Sequence, residues 1–293
     1  DNGLTLADLT GKAYDDPMWD QLLDQMSFED MSLLVNLGGW QTAQIDSVGK
    51  VATSDCDGPA GVNNFITGTY GTPYPTEVLM AQTWNTDLLY DLGLAMGQEY
   101  ADVNNYGVYG PAMNTHRSAF AGRNFEYYSE DGVLAGKLAA AQVNAMATKG
   151  TYNYIKHFAL NDQETNRCAF LLTYSNEQAI REIYLKPFEL CIKNFDETQI
   201  AVMSSFNWIG TVPACSNEDT LTTILRNEWG FQGMVITDYD GSYGYMITDH
   251  CVRTGNDLML GFSSQASNQL TNTESATLNN ALRTSCKNIM YTI

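Results

Sequence analysis

The sequence predicts an α/β fold of the (β/α)8 TIM-barrel type, which need not be complete or regular. Short apolar runs, each ending in a polar segment that carries glycine, alternate with amphipathic segments of helical periodicity. About six or seven such units follow one another, and strands that alternate with helices indicate a parallel sheet. The alternative is an open doubly wound sheet. No GxGxxG or GxxxxGKS/T motif follows a predicted strand, so neither nucleotide-binding signature supports that alternative.

Two helices are expected before the first strand. Asp16-Pro17 opens the first helix, and Ser27-Phe28-Glu29-Asp30 is a capping signal for the second, which Gly38-Gly39 ends. We therefore assign residues 1–40 to a lead-in whose helices pack on the barrel, and residues 41–293 to the barrel domain itself.

The repeating units then follow in order. The predicted strands are 48–54, 106–109, 152–155, 200–203, 234–237 and 256–260. The predicted helices lie near 86–103, after Ser129-Glu130-Asp131, after Ser175-Asn176-Glu177, after Asn217-Glu218-Asp219, and near 274–291. In a barrel, the groups just past the carboxyl ends of the strands line the ligand site. Such groups are Asp57, Arg117, Arg123, Lys156, His157, Asn207, Asp238 and Asp240.

Asp238 is the central candidate because it directly follows the buried run Met234 to Thr237. A carboxylate there is costly to desolvate unless charges or donors surround it, although a helix cap or turn aspartate is the plainer interpretation. Nearby Arg and Lys are expected to lower its pKa and keep it ionised, as a carboxylate nucleophile requires. Carboxylates beside cationic donors suit a ligand rich in hydroxyls.

The composition argues against several classes of binding partner. A formal net charge of -19, from 34 acidic and 15 basic residues, argues against nucleic acid and anionic membranes. No apolar run approaches the roughly 20 residues of a membrane helix. Six scattered cysteines without a CxxC pair, and only three histidines, argue against a metal site, and no cofactor is expected. For the compartment we expect a secreted or cell-surface location, with the cytoplasm as the alternative.

Five motifs in order resemble the barrel domain of glycoside hydrolase family 3, the β-glucosidase family. They are 57–61 (DGPAG), 121–131 (AGRNFEYYSED), 156–159 (KHFA) with Asn161 and Gln163-Glu164, 202–207 (VMSSFN) and 235–238 (VITD), and together they cover roughly residues 40–260. The resemblance implies that Asp238 is the nucleophile, forming a covalent glycosyl-enzyme. It also implies that Asp57, Arg123, Lys156 and His157 hold the hydroxyls of the sugar at the non-reducing end.

One position departs from the family pattern. Asn207 follows a position where many members have Tyr, and Phe206 there cannot donate a hydrogen bond. Asn207 and Arg117 remain candidates for substrate binding. Trp208, just past a strand end, is more often a core residue but can stack on a sugar face.

The retaining mechanism needs a second carboxyl about 5–5.5 Å from the nucleophile. In the family that acid commonly comes from a second α/β sandwich domain, which this chain does not contain, so another domain or chain is the expected partner. A His-based acid on a mobile loop is rejected because Ala159 to Asp162 contain no His. We expect the chain to be the C-terminal piece of a longer protein with inverted domain order.

Three functions follow from these features. The favoured one is a retaining β-glycosidase, β-glucosidase-like, that removes a sugar from the non-reducing end of a β-linked oligosaccharide or glycoside. The alternative is a glycan-binding module without turnover, because the acid/base is missing. The third is an unrelated barrel enzyme, such as an aldolase that uses Lys156 as a Schiff base.

Overall fold

The computed structural model describes residues 2–195 and 200–293. Its α-helices are Met18–Leu23, Phe28–Asn36, Glu77–Ala81, Thr86–Asp102, Gly132–Ala147, Glu177–Ala179, Lys186–Lys193, Thr248–Thr254 and Ala276–Thr292. Ile180–Tyr184 and Asp219–Glu228 are π-helical, and short 3-10 turns occupy Leu6–Leu9, Asp46–Val48, Ala214–Ser216 and Ala266–Asn268. None of the helices in the described ranges is long and apolar enough to cross a membrane.

The predicted helix starts are set by side-chain caps. Ser27 Oγ accepts a hydrogen bond from the Asp30 backbone N–H at 3.0 Å, and Asp30 Oδ2 accepts one from the Ser27 N–H at 3.1 Å. This capping box confirms the predicted signal. Asp131 Oδ1 accepts from the Val133 N–H at 2.8 Å in the same way. These caps satisfy backbone donors that the first helical turn leaves free.

The strands are β1 (Gln41–Thr42), β2 (Thr53–Asp57), β3 (Asn63–Asn64), β4 (Thr69–Tyr70), β5 (Gly107–Tyr109), β6 (Tyr152–Phe158), β7 (Leu172–Thr173), β8 (Ile200–Ser204), β9 (Trp208–Ile209), β10 (Val212–Pro213) and β11 (Val235–Ile236). The central sheet has the order β11-β8-β6-β5-β2-β3-β4. Its pairs β2–β5, β5–β6, β6–β8 and β8–β11 are parallel, whereas β3 pairs antiparallel with β2 and with β4. The first predicted strand was placed too early: residues 46–48 form a 3-10 turn, and the strand runs from Thr53 to Asp57.

This order confirms the TIM-barrel-like α/β class, in an irregular form. Parallel strands that neighbour each other in sequence order are typical of a (β/α) barrel. Strand pairings in the described ranges do not close the ring, because β1 pairs antiparallel with β2 and the last predicted strand is a single bridge from Leu258 to Ile236. The gap is spanned by two backbone hydrogen bonds, from Gly38 N to Met259 O at 3.1 Å and from Met259 N to Val35 O at 2.9 Å.

Alternate residues of each parallel strand enter two different cores. Ala201 and Met203 of β8 belong to a core shared with Tyr154, whereas Val202 packs in the core that contains Leu138 of the outer helix Gly132–Ala147. The core that contains Ala201 and Met203 also includes side chains from the helices of residues 1–40 and from the final helix, namely Trp19, Leu22, Leu34 and Ile289. Since strand side chains alternate in direction, the sheet is buried on both faces. Its polar strand ends are thereby left to form the site.

Candidate active site

A cavity of about 300 Å³ opens where the parallel strands end. It is lined by Trp40, Asp57, Tyr109, Arg123, Lys156, His157, Arg167, Met203, Phe206, Asp238, Tyr239, Tyr243 and Leu260. Five residues predicted from sequence thus share one cavity: Asp57, Arg123, Lys156, His157 and Asp238.

Asp238 lies at the base of this cavity, directly after β11, and is 9% exposed. Its Oδ1 accepts a hydrogen bond from the Tyr239 N–H at 2.7 Å, and its Oδ2 lies 3.7 Å from His157 Nε2. Burial raises the pKa of Asp238, and this outweighs the Tyr239 N–H and the cations Arg167, Arg123 and Lys156, which favour the ionised form. The expectation that these cations lower the pKa overall is therefore wrong in sign, because desolvation is the larger effect.

His157 is a buried, neutral imidazole beside that carboxyl. Burial, followed by the charges of Arg123, Lys156 and Arg167, lowers the pKa of His157 well below its usual range. Its Nδ1 lies 3.1 Å from the Tyr127 hydroxyl, which already accepts a hydrogen bond from Asn161 Nδ2 at 2.7 Å.

The hydrogen bonds around Tyr127 fit the Nε2–H tautomer of His157. In this arrangement the Tyr127 hydroxyl accepts from Asn161 Nδ2 and donates to Nδ1, which puts the proton of the neutral ring on Nε2, the nitrogen 3.7 Å from Asp238 Oδ2.

One carboxylate, Glu126, fixes two cations of the cavity wall. It accepts hydrogen bonds from Arg123 Nε at 2.6 Å and Arg123 Nη2 at 2.7 Å, and it lies 3.2 Å from Lys156 Nζ. Burial acts to raise the pKa of Glu126, but Lys156 and Arg123 outweigh it and hold that pKa at about 2. For Arg123 the bonds to Glu126 likewise outweigh burial and raise its pKa. Both cations are held in place before any ligand arrives.

Asp57 and Trp40 form the opposite wall. Trp40 Nε1 donates to Asp57 Oδ2 at 3.1 Å, and the Trp40 backbone N–H donates to the Tyr109 hydroxyl at 3.1 Å. The Trp40 ring lies 5.7 Å from that of Tyr239 and 4.9 Å from that of Phe65. Trp40 thus orients the carboxylate and supplies an apolar wall.

Sequence reasoning also missed Arg167. Its Nη1 lies 2.8 Å from Glu164 Oε2, and its guanidinium stands 4.6 Å from the ring centre of Phe206, which lines the same cavity. The signal that could have found it was its spacing from Glu164, because a carboxylate three residues before an arginine, inside a matched motif, can hold that arginine by an ion pair. Arg167 becomes a third cation aimed at Asp238.

Three predicted binding residues lie outside this cavity. Asn207 is buried and donates to the Ala159 carbonyl at 3.1 Å and to Thr173 Oγ1 at 3.1 Å. Trp208 packs at a tilt against Phe170 and is part of the small sheet β10-β9-β7. Arg117 is exposed and lines a separate cavity. Asn207 and Trp208 leave the rim because the chain enters the small separate sheet directly after β8, whereas Arg117 lies on an exposed part of the loop between β5 and the helix Gly132–Ala147.

Asp240 is also outside the cavity. It is fully buried, and its Oδ2 and Oδ1 accept hydrogen bonds from Ser267 Oγ at 3.0 Å and from the Ser242 N–H at 3.2 Å. These bonds tie Asp240 to the loop after β11 and to Ser267, and not to the cavity that it was predicted to line. Across the described ranges, no group of three or more His, Cys, Asp or Glu side chains is placed to hold a metal ion.

Comparison with known proteins gives a consistent picture. The model of the glycosyl hydrolase family 3 N terminal domain matches residues 42–266. Beta-glucosidase A of Butyrivibrio fibrisolvens is 39% identical over 250 residues, which is 83% of this chain and 29% of that protein. A beta-glucosidase of Rhizobium radiobacter is 35% identical over 82% of this chain and 29% of its own length. The chain thus spans less than a third of the length of these curated relatives.

Solved structures agree with the sequence matches. Beta-glucosidase 3B from Thermotoga neapolitana in complex with alpha-D-glucose superposes with a TM-score of 0.80 at 32% identity, covering 93% of this chain and 42% of that one. A beta-glucosidase from Paenibacillus barengoltzii superposes with a TM-score of 0.83 at 32% identity, covering 99% of this chain and 34% of that one.

Proposed function

Because this chain belongs to glycosyl hydrolase family 3, we propose that it provides the sugar pocket and the nucleophile of a retaining β-glucosidase. The observation that carries the proposal is the placement of Asp238 in one cavity with Asp57, Arg123, Lys156 and His157. A cavity of about 300 Å³ suits a single sugar unit rather than a long chain, which fits removal of the terminal residue.

The polar groups of the cavity suit the hydroxyls of a neutral pyranose. Asp57 is an acceptor, while Arg123 and Lys156 are donors held by Glu126. Because Glu126 already positions these donors, little side-chain entropy is lost when the sugar binds. Trp40 and Tyr239 offer apolar surface to the sugar ring. The glucose named for the Thermotoga structure makes glucose the first sugar to test.

In the proposed reaction, Asp238 attacks the anomeric carbon and forms an ester with it while the bond to the leaving oxygen breaks. The leaving oxygen must receive a proton. Water then attacks the glycosyl-enzyme, giving up a proton and releasing the carboxylate. The Tyr239 N–H and the three cations stabilise the ionised form that attacks, although burial raises its pKa. Phe206 lines the cavity without a donor, so it contributes no hydrogen bond to the nucleophile.

We propose that the proton donor comes from another domain or chain. The carboxyl groups that line the cavity, in the part of the chain described, are Asp57 and Asp238. Asp57 is engaged with Trp40 and assigned to sugar binding, and Asp238 is the nucleophile, which leaves neither as the acid. The same observation favours the second candidate function, a glycan-binding module without turnover.

The test compares leaving groups and two aspartate variants. An aryl glucoside with a dinitrophenol leaving group needs little acid assistance, whereas cellobiose needs full assistance. We expect this chain to hydrolyse the aryl glucoside much faster than cellobiose, and Asp238→Asn to lower kcat/KM for it by about 10³-fold or more. Asp240→Asn is the matched control, because Asp240 is an aspartate close to Asp238 in the sequence but is buried outside the cavity.

The outcomes separate the candidates. Wild-type turnover in Asp238→Asn would show that the nucleophile is another residue. Binding of glucose without hydrolysis of either substrate would favour the glycan-binding module. An imine with Lys156, trapped by borohydride in the presence of a carbonyl substrate, would favour the aldolase instead.

A further inference from the structure

A second cavity, of about 260 Å³, lies on the loop that follows β6. Its lining includes Arg117, Asp162, Gln163, Tyr174 and Tyr184. Its volume is close to that of the active-site cavity, so it too matches one sugar unit. None of its lining residues lines the active-site cavity.

Two side chains of opposite charge line this cavity, and neither forms an ion pair or a side-chain hydrogen bond with the described residues. Across the described ranges the Arg117 guanidinium makes no ion pair or hydrogen bond, and it stands 5.8 Å from the ring centre of Tyr184. Asp162 Oδ1 is buried and has no hydrogen-bond partner among the described residues. Burial raises the pKa of Asp162 to about 6, against the opposing charge of Arg117, so the carboxyl is largely ionised at pH 7. A buried, unbonded carboxylate oxygen favours any ligand that brings a donor to it.

We propose that this second cavity binds a hexopyranose unit between Arg117 and Asp162. A donor and an acceptor in the lining of one cavity complement the hydroxyls of a sugar, each of which both donates and accepts. The charges of the pair cancel, so a neutral ligand is favoured over a phosphate, which Asp162 would repel, and over an amine, which Arg117 would repel. Tyr174 is 71% exposed and offers a ring face to the C–H surface of a sugar.

The loop after β6 connects the two cavities. Asn161 of this loop donates to Glu164 Oε1 at 2.9 Å and to the Tyr127 hydroxyl at 2.7 Å, which in turn contacts His157 of the active-site cavity. Its neighbours Leu160 and Asp162 line the second cavity. The choice of a sugar as the ligand rests on the proposed function, whereas the unpaired Arg117 and Asp162 do not depend on it. The sugar is either a free molecule or another unit of a glycan held in the active site.

The test is an NMR titration of the chain with methyl β-D-glucoside, following backbone amides at both cavities. Leu172 and Thr173 report on the second cavity, and Met203 and Tyr239 report on the active site. We expect two sets of shifts. Arg117→Gln and Asp162→Asn should each raise the Kd obtained from the second-cavity shifts about tenfold or more, as expected for loss of a charge-assisted hydrogen bond. The Kd obtained from the active-site shifts should not change. Arg253→Gln, an exposed arginine paired with Asp249, is the control and should change neither.

Asp57→Asn is the converse variant, because it changes the active site. With methyl β-D-glucoside it should raise the Kd obtained from Met203 and Tyr239 and leave the Kd obtained from Leu172 and Thr173 unchanged. Loss of binding at both cavities in this variant would overturn the second site. Unchanged second-cavity shifts in Arg117→Gln and Asp162→Asn, or the absence of such shifts, would also overturn it. Missing shifts at Met203 and Tyr239 alone would count against the proposed function and not against this cavity.

A cellotriose titration then distinguishes the two sources of the sugar. If one glycan spans both cavities, Asp57→Asn should raise the Kd for cellotriose obtained from the shifts at both cavities. With methyl β-D-glucoside it should raise only the Kd obtained at the active site. If the second cavity takes a separate molecule, Asp57→Asn should weaken only the active-site set with either ligand. Both results require the Arg117→Gln effect and therefore support the second site.

Discussion

Replacing Glu77 by Gln should remove a large pH dependence from the stability of this chain. Glu77 is 1% exposed in the helix Glu77–Ala81, and its Oε1 has no hydrogen-bond partner among the described residues. Burial raises the pKa of Glu77 to about 8, with Glu126 adding to the rise and the Glu77 N–H, Lys156 and the Ala112 backbone opposing it. Tyr100 and Tyr128 are the other titratable groups that face it.

The sign follows from where the proton is held. Between the ordinary pKa of 4.5 and about 8, the unfolded chain has lost the Glu77 proton while the folded chain keeps it. The folded state is then penalised, and the free energy of unfolding falls by about 1.4 kcal/mol for each pH unit of this window. From pH 5 to pH 7 the loss amounts to about 3 kcal/mol. Glu77→Gln keeps the shape of the side chain and has no proton to lose, so it escapes this loss.

Urea unfolding at pH 5, 6 and 7 measures the effect. All other titrating groups are common to both proteins, so the difference between Glu77→Gln and wild type should grow in favour of the variant by about 3 kcal/mol over this range. Glu29→Gln, at an exposed position of the helix Phe28–Asn36, is the control and should follow wild type within about 0.5 kcal/mol. Parallel stability curves for wild type and Glu77→Gln would refute the reasoning.

Three further substitutions test packing and the site. Asp257→Ala leaves Arg226, now 2.6 Å from Asp257 Oδ2, without its carboxylate partner, and should cost about 3–5 kcal/mol in urea unfolding; a cost below about 1 would mean that the pair is dispensable. Trp40→Phe keeps an apolar wall but removes the donor to Asp57, so the Kd for glucose should rise about tenfold with unfolding nearly unchanged; an unaltered Kd would contradict this. Gly38→Ala adds a Cβ that would overlap a backbone carbonyl of the 258–260 segment, and should lower the free energy of unfolding by about 1–3 kcal/mol; wild-type stability would show that the segment can shift.

The central parts of the fold and site could be predicted from sequence because they depend on local patterns. Caps such as Ser27 with Asp30 are contained in four residues. Parallel strands necessarily bring the groups at their carboxyl ends together, which is why Lys156 and Asp238 share a cavity although more than eighty residues separate them.

What could not be predicted depends on the depth of burial and on the direction of the chain after a strand. The net direction of the Asp238 pKa follows from desolvation, which has no signature in sequence. Asn207 and Trp208 leave the rim because the next residues form a separate small sheet, and Asn207 bonds to Thr173 of that sheet. Trp40 precedes the first strand and carries no strand-end pattern, so only its bond to Asp57 identifies it.

The pairing of Glu126 and Glu164 with the cavity cations has an electrostatic consequence. The cavity is lined by three cationic side chains, while two carboxylates line it, Asp57 and Asp238, and two more hold the cations from behind. Local charge nearly cancels there, although the whole chain carries -19. A neutral sugar approaching this mouth experiences little long-range field, so its association rate should depend on diffusion and fit and change little with ionic strength. The acidic surface can then serve colloidal solubility without altering how fast the pocket fills.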